Sequence, residues 1–169
     1  MAKLYILCGY PFAGKSTIAR SLIKKFGLVR VALDDINSER GIGKDSHREI
    51  TSDEWQGTYD IYHNRIVHNL QEGNSVVTDT VGHTKKARNE LRKLAKNNNA
   101  EAIILYVATP FDIVKERWLN NRQTKNRPDV RDNDFNRVVN DFEIPNTDED
   151  VVTITPDMEI EEIYKLIEK

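Results

Sequence analysis

Residues 9–17 read Gly-Tyr-Pro-Phe-Ala-Gly-Lys-Ser-Thr, which matches the pattern G-x-x-x-x-G-K-[ST] of a phosphate-binding loop, or P-loop. An apolar run, residues 4–8, precedes the loop, and apolar residues at helical spacing follow it. The latter are Ile18, Leu22, Ile23 and Phe26. Strand, glycine-rich loop and helix in this order are the context that the pattern requires, so the stretch predicts a site for nucleotide phosphates.

The residue types of the loop fit that chemistry. Backbone N–H groups at the start of a helix form a concavity that favours anions, and Gly9 and Gly14 allow the backbone to approach phosphate oxygens. Lys15 supplies a positive charge for the β and γ phosphates, and the hydroxyl of Ser16 is a predicted Mg²⁺ ligand. The ring of Phe12 is expected to point away from the phosphates. The predicted nucleotide-binding residues are Gly9, Tyr10, Pro11, Phe12, Ala13, Gly14, Lys15, Ser16 and Thr17.

Length and composition predict one domain spanning residues 1–169. The net charge of −2 gives no general attraction to nucleic acid or to an anionic membrane surface. The single cysteine, Cys8, excludes an intramolecular disulfide and fits a buried apolar position in a reducing compartment. No apolar run is long enough for a signal peptide or a membrane helix, so we expect a cytoplasmic protein.

Strand and helix patterns alternate along the chain. The predicted strands are residues 4–8, 28–33, 75–79, 102–107 and 151–154, the fourth of them fully buried. The predicted helices begin near residues 15, 52, 84 and 110, with a further helix around Phe135 and another at the end of the chain. This alternation predicts a parallel sheet with helices on both faces and a ligand site at the carboxyl ends of the strands.

Two predicted strands end on aspartate. Asp79 closes the third strand, where a carboxylate can reach Mg²⁺ beside Ser16. Asp34 follows the second strand and is a candidate general base that accepts the proton of an attacking hydroxyl. The alternative for each is a cap for the next turn, and the neighbouring Asp35 could serve as base or cap in place of Asp34.

A basic stretch lies between residues 115 and 131. It carries six basic side chains against two acidic ones: Lys115, Arg117, Arg122, Lys125, Arg127 and Arg131 against Glu116 and Asp129. A helix followed by an arginine-bearing segment is what a phosphate lid needs, because guanidinium groups grip phosphate oxygens. We therefore expect a lid at about residues 115–133, with a solvated surface segment as the alternative.

A second basic stripe follows helical spacing through Lys85, Arg88, Arg92 and Lys96. Such a stripe can track a nucleic-acid backbone. Glu90 and nearby asparagines dilute its charge, and no aromatic residue is interleaved for base stacking. We therefore expect it to be the solvent-facing side of an amphipathic helix.

The order of P-loop, Asp34-Asp35, Asp79 and arginine-rich segment resembles the small P-loop kinases. The most similar groups in pattern are polynucleotide 5′-hydroxyl kinases, chloramphenicol phosphotransferases and zeta-toxin-like kinases. The resemblance implies a nucleotide-kinase-like three-layer α/β fold with strand order 2-3-1-4-5. It also implies that Asp34 is the general base and that a lid arginine falls on Arg117, Arg122 or Arg127.

The resemblance implies a kinase that uses ATP and Mg²⁺ to phosphorylate a hydroxyl of a small-molecule acceptor, with Asp34, Lys15, Arg122 and Arg127 as catalytic residues. Polynucleotide kinases carry an arginine three residues beyond the aspartate, where this chain has Asn37, and Arg40 is the nearest substitute. A nucleic-acid acceptor is therefore the second alternative. A third is a nucleotide-hydrolysing switch acting through a protein partner, since residues 79–82 match D-x-x-G, but no Asn-Lys-x-Asp follows the fourth strand.

Overall fold

Five parallel strands form one sheet in the computed structural model, which describes residues 1–43, 48–80, 82–127 and 129–168. The strand order β2-β3-β1-β4-β5 is the one implied by the resemblance, and the fold is α/β. The strands are β1 (Lys3–Cys8), β2 (Val29–Val31), β3 (Val76–Thr78), β4 (Glu101–Val107) and β5 (Val151–Ile154). β1 lies at the centre, so the P-loop that follows it opens at the middle of the carboxyl edge.

Helices cover both faces of the sheet. They are α1 (Lys15–Phe26), α2 (Leu33–Glu39), α3 (Ser52–Gln71), α4 (Lys85–Asn97), α5 (Phe111–Thr124), α6 (Asp132–Asn140) and α7 (Ile160–Ile167), with a short 3₁₀ helix at Thr147–Glu149. In the part of the chain that the structure describes, no helix is both long and apolar enough to cross a membrane.

Alternation along β1 divides the core into two layers. Tyr5 and Leu7 pack on the face covered by α1, α5, α6 and α7. Leu4, Ile6 and Cys8 pack on the opposite face, covered by α2, α3 and α4. Because successive side chains of a strand point to opposite faces, one apolar run supplies both layers.

The second strand is shorter than the sequence predicts. β2 ends at Val31, and Ala32 is the N-cap of a helix, α2, that the sequence pattern did not reveal. Asp34 and Asp35 therefore lie in the first turn of α2, and neither side chain caps it. Carboxylates are favourable there because they face the positive end of the helix dipole.

The expectation that α4 turns its basic residues to solvent is wrong for Arg88, whose side chain is fully buried. Its Nε and Nη2 donate to the carboxylate of Glu149 at 2.8 and 2.9 Å, and Nη1 donates to the carbonyls of Gly82 and Glu143. Burial alone raises the pKa of Glu149, but the hydrogen bonds from Arg88 and from the Asn146 N–H, together with the charges of Arg88 and Lys85, lower that pKa overall. The partner lies 61 residues away in sequence, beyond the reach of a helical pattern.

The fourth strand is not fully buried as expected. β5 pairs only with residues 104–107 of β4, so residues 101–103 of β4 extend beyond the start of β5. Glu101 is exposed, and Ala102 and Ile103 are partly exposed.

Candidate active site

The P-loop takes a conformation that suits a bound anion. Gly9, Phe12 and Gly14 all have positive φ angles, of 150°, 65° and 105°. A Cβ at Gly9 would stand 2.7 Å from the carbonyl oxygen of Val107, so the loop needs glycine there to pass so close to β4.

Lys15 lies folded against the loop that carries it. Its Nζ donates to the carbonyl oxygens of Gly9 at 3.0 Å and Tyr10 at 2.7 Å, and the residue is nearly buried. Desolvation lowers the pKa of Lys15 to about 8, against an opposing effect of the nearby Asp79 carboxylate. The ammonium group is thus held where a phosphate would restore its lost solvation.

Two residues outside the loop hold its carbonyl groups. The buried Thr109 donates from Oγ1 to the carbonyl oxygen of Ala13 at 2.8 Å. Arg117, on α5, donates from Nη1 to the carbonyl oxygens of Phe12 at 3.2 Å and Ala13 at 3.4 Å. These donors engage the carbonyl groups of Phe12 and Ala13, while the Ala13 N–H donates to the Tyr10 carbonyl oxygen at 3.2 Å, so side chains and the loop itself together fix its backbone.

The ring of Phe12 is buried in the core layer on the α1 face of the sheet, and its orientation relative to bound phosphates stays a prediction. The guanidinium group of Arg127 lies over this ring, 4.3 Å from its centre. A cation over an aromatic face is attracted by the ring quadrupole. Phe12 thus joins the P-loop to the predicted lid.

Asn121 fixes the backbone of Arg127. Its Nδ2 donates to the Arg127 carbonyl oxygen at 3.0 Å, and its Oδ1 accepts from the Arg127 N–H at 3.1 Å. Arg127 contributes electrostatically to the pKa values of both Lys15 and Asp34. Arg127 therefore belongs to the site electrostatically, while Pro128 of the lid lies outside the described residues.

Arg122 has a different environment from Arg127. It forms salt bridges with Asp129 and Asp132, and its guanidinium group lies 4.4 Å from the centre of the Trp118 ring. Trp118 in turn stacks on Phe135 of α6 at 4.0 Å. These contacts join α5, the segment after it and α6; the lid function of this segment and a catalytic role for Arg122 stay predictions.

The predicted magnesium ligands lie side by side. Ser16 donates from Oγ to Oδ1 of Asp79 at 3.2 Å. A hydroxyl and a carboxylate oxygen are the hard donors that Mg²⁺ prefers, and a nucleotide-bound Mg²⁺ takes its other ligands from phosphates and water. Within residues 1–43, 48–80, 82–127 and 129–168, no cluster of three or more acidic, histidine or cysteine residues could hold a metal by itself. The donor set thus fits Mg²⁺ that arrives with a nucleotide.

Arg30, in the middle of β2, ties the carboxylates together. Its Nε and Nη2 donate to Oδ2 of Asp79 at 3.1 and 2.9 Å, and its Nη1 pairs with Asp35. Asp79 is 6% exposed in its side chain and Asp35 is 50% exposed, so the pair spans the inner and outer parts of the site.

Asp34 lies next to this group and stays accessible to solvent. Desolvation by partial burial raises the pKa of its carboxyl group, and the nearby Asp79 carboxylate adds to the effect. Arg127 acts in the opposite direction. Among the described residues, Asp34 forms no salt bridge, whereas Asp35 is held by Arg30.

Polar contacts join α2 to α3. Thr58 donates from Oγ1 to Oδ1 of Asn37 at 2.6 Å, and both residues are buried. Arg40 donates to Thr58 and to the carbonyl oxygen of Glu54. A Cβ at Gly57 would stand 2.7 Å from the Arg40 guanidinium group. Asn37 and Arg40 are therefore both engaged with α3.

Three residues of the site were missed by sequence reasoning: Arg30, Thr109 and Asn121. Arg30 carries a usable signal, because it is a lone charge within the apolar run of the second strand. The other two are polar residues near the ends of elements, a pattern too common to single them out.

The chain belongs to the AAA domain family, whose model matches residues 4–145. No curated protein sequence matches the chain significantly. Among solved structures, Kti12 from Chaetomium thermophilum in complex with ADP-AlF3 has a TM-score of 0.77 and 18% identity, over 97% of this chain and 96% of that one.

Two other solved structures, a sugar kinase and a chain of an RNA repair complex, have a similar fold. A sugar kinase from Janibacter sp. has a TM-score of 0.68 and 15% identity, over 99% of this chain and 92% of that one. A chain of the Pnkp1/Rnl/Hen1 RNA repair complex has a TM-score of 0.70 and 18% identity, over 83% of this chain but 43% of that one. At these identities the likeness shows the fold alone, and it confirms the predicted P-loop kinase-like architecture.

Proposed function

We propose that this protein transfers the γ-phosphoryl group of ATP, in the presence of Mg²⁺, to a hydroxyl group of a small-molecule acceptor. One observation carries the proposal: an accessible carboxyl group with a raised pKa, Asp34, lies within electrostatic reach of Lys15 and of the Ser16–Asp79 pair. A phosphate site with a base beside it is the minimal arrangement for phosphorylating a hydroxyl.

Each residue has a defined part in the proposed reaction. The N–H groups of the P-loop and Lys15 bind the β and γ phosphates, with Lys15 released from the carbonyl groups of Gly9 and Tyr10. Ser16 and Asp79 would hold Mg²⁺, which neutralises phosphate charge when bound. Asp34 accepts the proton of the attacking hydroxyl, and Arg127 adds positive charge from the lid.

The contacts of α2 favour a small acceptor over a polynucleotide. Asn37 is buried against Thr58, and Arg40 is bound to α3. Neither supplies a free cation beside Asp34 for the phosphate next to a 5′-hydroxyl group. We expect the stretch from residue 37 to residue 55 and the helix that carries Tyr59 and Tyr62 to form the wall of the acceptor pocket. Residues 44–47 of this stretch lie outside the described part of the chain.

The switch alternative finds little support. Gly82 of the D-x-x-G pattern packs against β1, where a Cβ would stand 2.9 Å from the carbonyl oxygen of Leu7, and its own carbonyl accepts from Arg88. Val81 of the same pattern lies outside the described residues. A glycine fixed by packing on both sides has little freedom to follow the state of a nucleotide.

The test incubates the protein and labelled MgATP with separate pools of nucleosides, sugars, antibiotics and 5′-hydroxyl oligonucleotides. We expect label in one small-molecule pool. Lys15→Ala removes the charge at the phosphates and should lower transfer by at least about 10²-fold, whereas Lys24→Ala, on the exposed last turn of the same helix, should leave it unchanged. Label found as free phosphate alone, or clear selectivity for GTP over ATP, would contradict the proposal.

A further inference from the structure

Arg30 is the one described side chain that contacts both Asp79 and Asp35. It stands in the centre of β2, the strand next to β3, at whose end Asp79 lies. Its guanidinium group uses two nitrogens on Asp79 and a third on Asp35. Because both nitrogens on Asp79 donate to the same oxygen, Oδ2, the contact fixes the position of that oxygen.

The two oxygens of the Asp79 carboxylate have different partners. Both hydrogen bonds from Arg30 to Asp79 end on Oδ2, whereas Oδ1 accepts from Ser16. Asp79 is thus held from both ends, with Oδ1 directed toward the P-loop. Without Arg30, a nearly buried carboxylate would lose the partner of Oδ2 and the constraint on its rotation.

We propose that Arg30 is a positioning residue of the nucleotide site: by binding Oδ2 of Asp79, it presents Oδ1 to the Ser16 hydroxyl and to a Mg²⁺ ion that arrives with ATP. This inference rests on the proposed function. Arg30 touches neither nucleotide nor metal in this role and acts through Asp79 alone. Partners that orient a metal-binding carboxylate in this way set metal affinity.

The opposite role is also testable. In that role, Arg30 competes with Mg²⁺ for Asp79: because Arg30 is already bound to the carboxylate, it would oppose Mg²⁺ binding there. The two roles predict opposite changes when the guanidinium group is removed, since a positioning residue favours Mg²⁺ binding and a competitor opposes it.

The experiment measures ATP binding by titration calorimetry, once in EDTA and once in excess MgCl₂, so that no catalytic turnover is needed. For Arg30→Met we expect the gain in ATP affinity that Mg²⁺ confers to fall about tenfold, while affinity in EDTA stays unchanged. Arg30→Lys keeps the charge but not the guanidinium group, so it should recover part of the gain. It also gives the same test if Arg30→Met does not fold.

Arg65→Met is the matched control. Arg65 pairs with Glu39 on the exposed surface and has no hydrogen bond to Asp79 among the described residues, so its loss should leave both affinities unchanged. If Mg²⁺ raises the ATP affinity of Arg30→Met as much as that of the wild type, or more, the positioning role is wrong while the proposed function stands. If the wild-type protein itself shows no Mg²⁺-dependent ATP binding, both are wrong.

Discussion

The P-loop follows β1 and the α2 corner (residues 33–40) follows β2, with β3 between these two strands of the sheet, yet the two regions are held in different ways. The P-loop is fixed through its backbone: Thr109, Arg117 and Lys15 all donate to main-chain carbonyl groups. The α2 corner is fixed through side chains, with Asn37 bound to Thr58 and Asp35 bound to Arg30.

The difference corresponds to the two halves of the proposed reaction. A phosphate chain is the same in every nucleoside triphosphate, so backbone groups suffice to bind it. An acceptor differs from one enzyme to the next, and side chains supply the variation that recognises it. Substitutions in the two regions should therefore affect different kinetic constants.

Asp34→Asn should have the largest effect of the substitutions in the α2 corner. Removal of the general base is expected to lower kcat by about 10²–10⁴-fold, because the acceptor hydroxyl then keeps its proton. ATP affinity, measured by calorimetry, should stay unchanged, since Asp34 belongs to the acceptor half. If Asp35→Asn shows this loss in place of Asp34→Asn, the base is Asp35.

Thr109→Val tests the backbone-held region. The substitution removes the only side-chain hydroxyl bound to the Ala13 carbonyl oxygen and leaves that buried oxygen with Arg117 alone among the described side chains. We expect ATP affinity to fall about tenfold, in line with the cost of an unmade buried hydrogen bond. The acceptor KM at saturating ATP should not change. A change in acceptor KM alone would remove the distinction between the two regions.

Thr58→Val is the matched substitution on the other side. It removes the hydrogen-bond partner of Asn37 and one contact of Arg40. The position of the α2 corner against α3 is then less constrained. The acceptor KM should rise about fivefold, as expected for the loss of one hydrogen bond. ATP affinity should match that of the wild type, and an equal loss of both would mean that the two regions act as one unit.

Asp35→Asn should produce the smallest change. The Asp35 carboxylate contributes to the raised pKa of Asp34, so its neutralisation lowers that pKa. Activity requires ionised Asp34 and is lost as pH falls through its pKa, so the acidic limb of the pH–rate profile should move to lower pH. The rate at neutral pH should stay within about twofold. A limb that moves to higher pH would show that Asp34 is not the titrating group.

Sequence reasoning succeeds where the determining contacts are local. The P-loop, the helix after it and the alternation of strands and helices are all visible in spacing and residue type, and the structure confirms them. The sequence pattern does not predict α2, because the apolar run before Asp34 has the composition of a strand that continues to Leu33. The pattern also misassigns Arg88. Helical spacing places this residue on an exposed basic stripe, whereas in the structure it is buried and bound to Glu149.

The sequence by itself determined that a nucleotide phosphate site follows the first strand, since nine consecutive residues prescribe a backbone conformation and its charges. Tertiary structure alone decided which side chains complete that site. Thr109 meets Ala13 across 96 residues, and Arg30 meets Asp79 across 49. Such pairs depend on the order in which strands lie side by side, and no local pattern encodes that order.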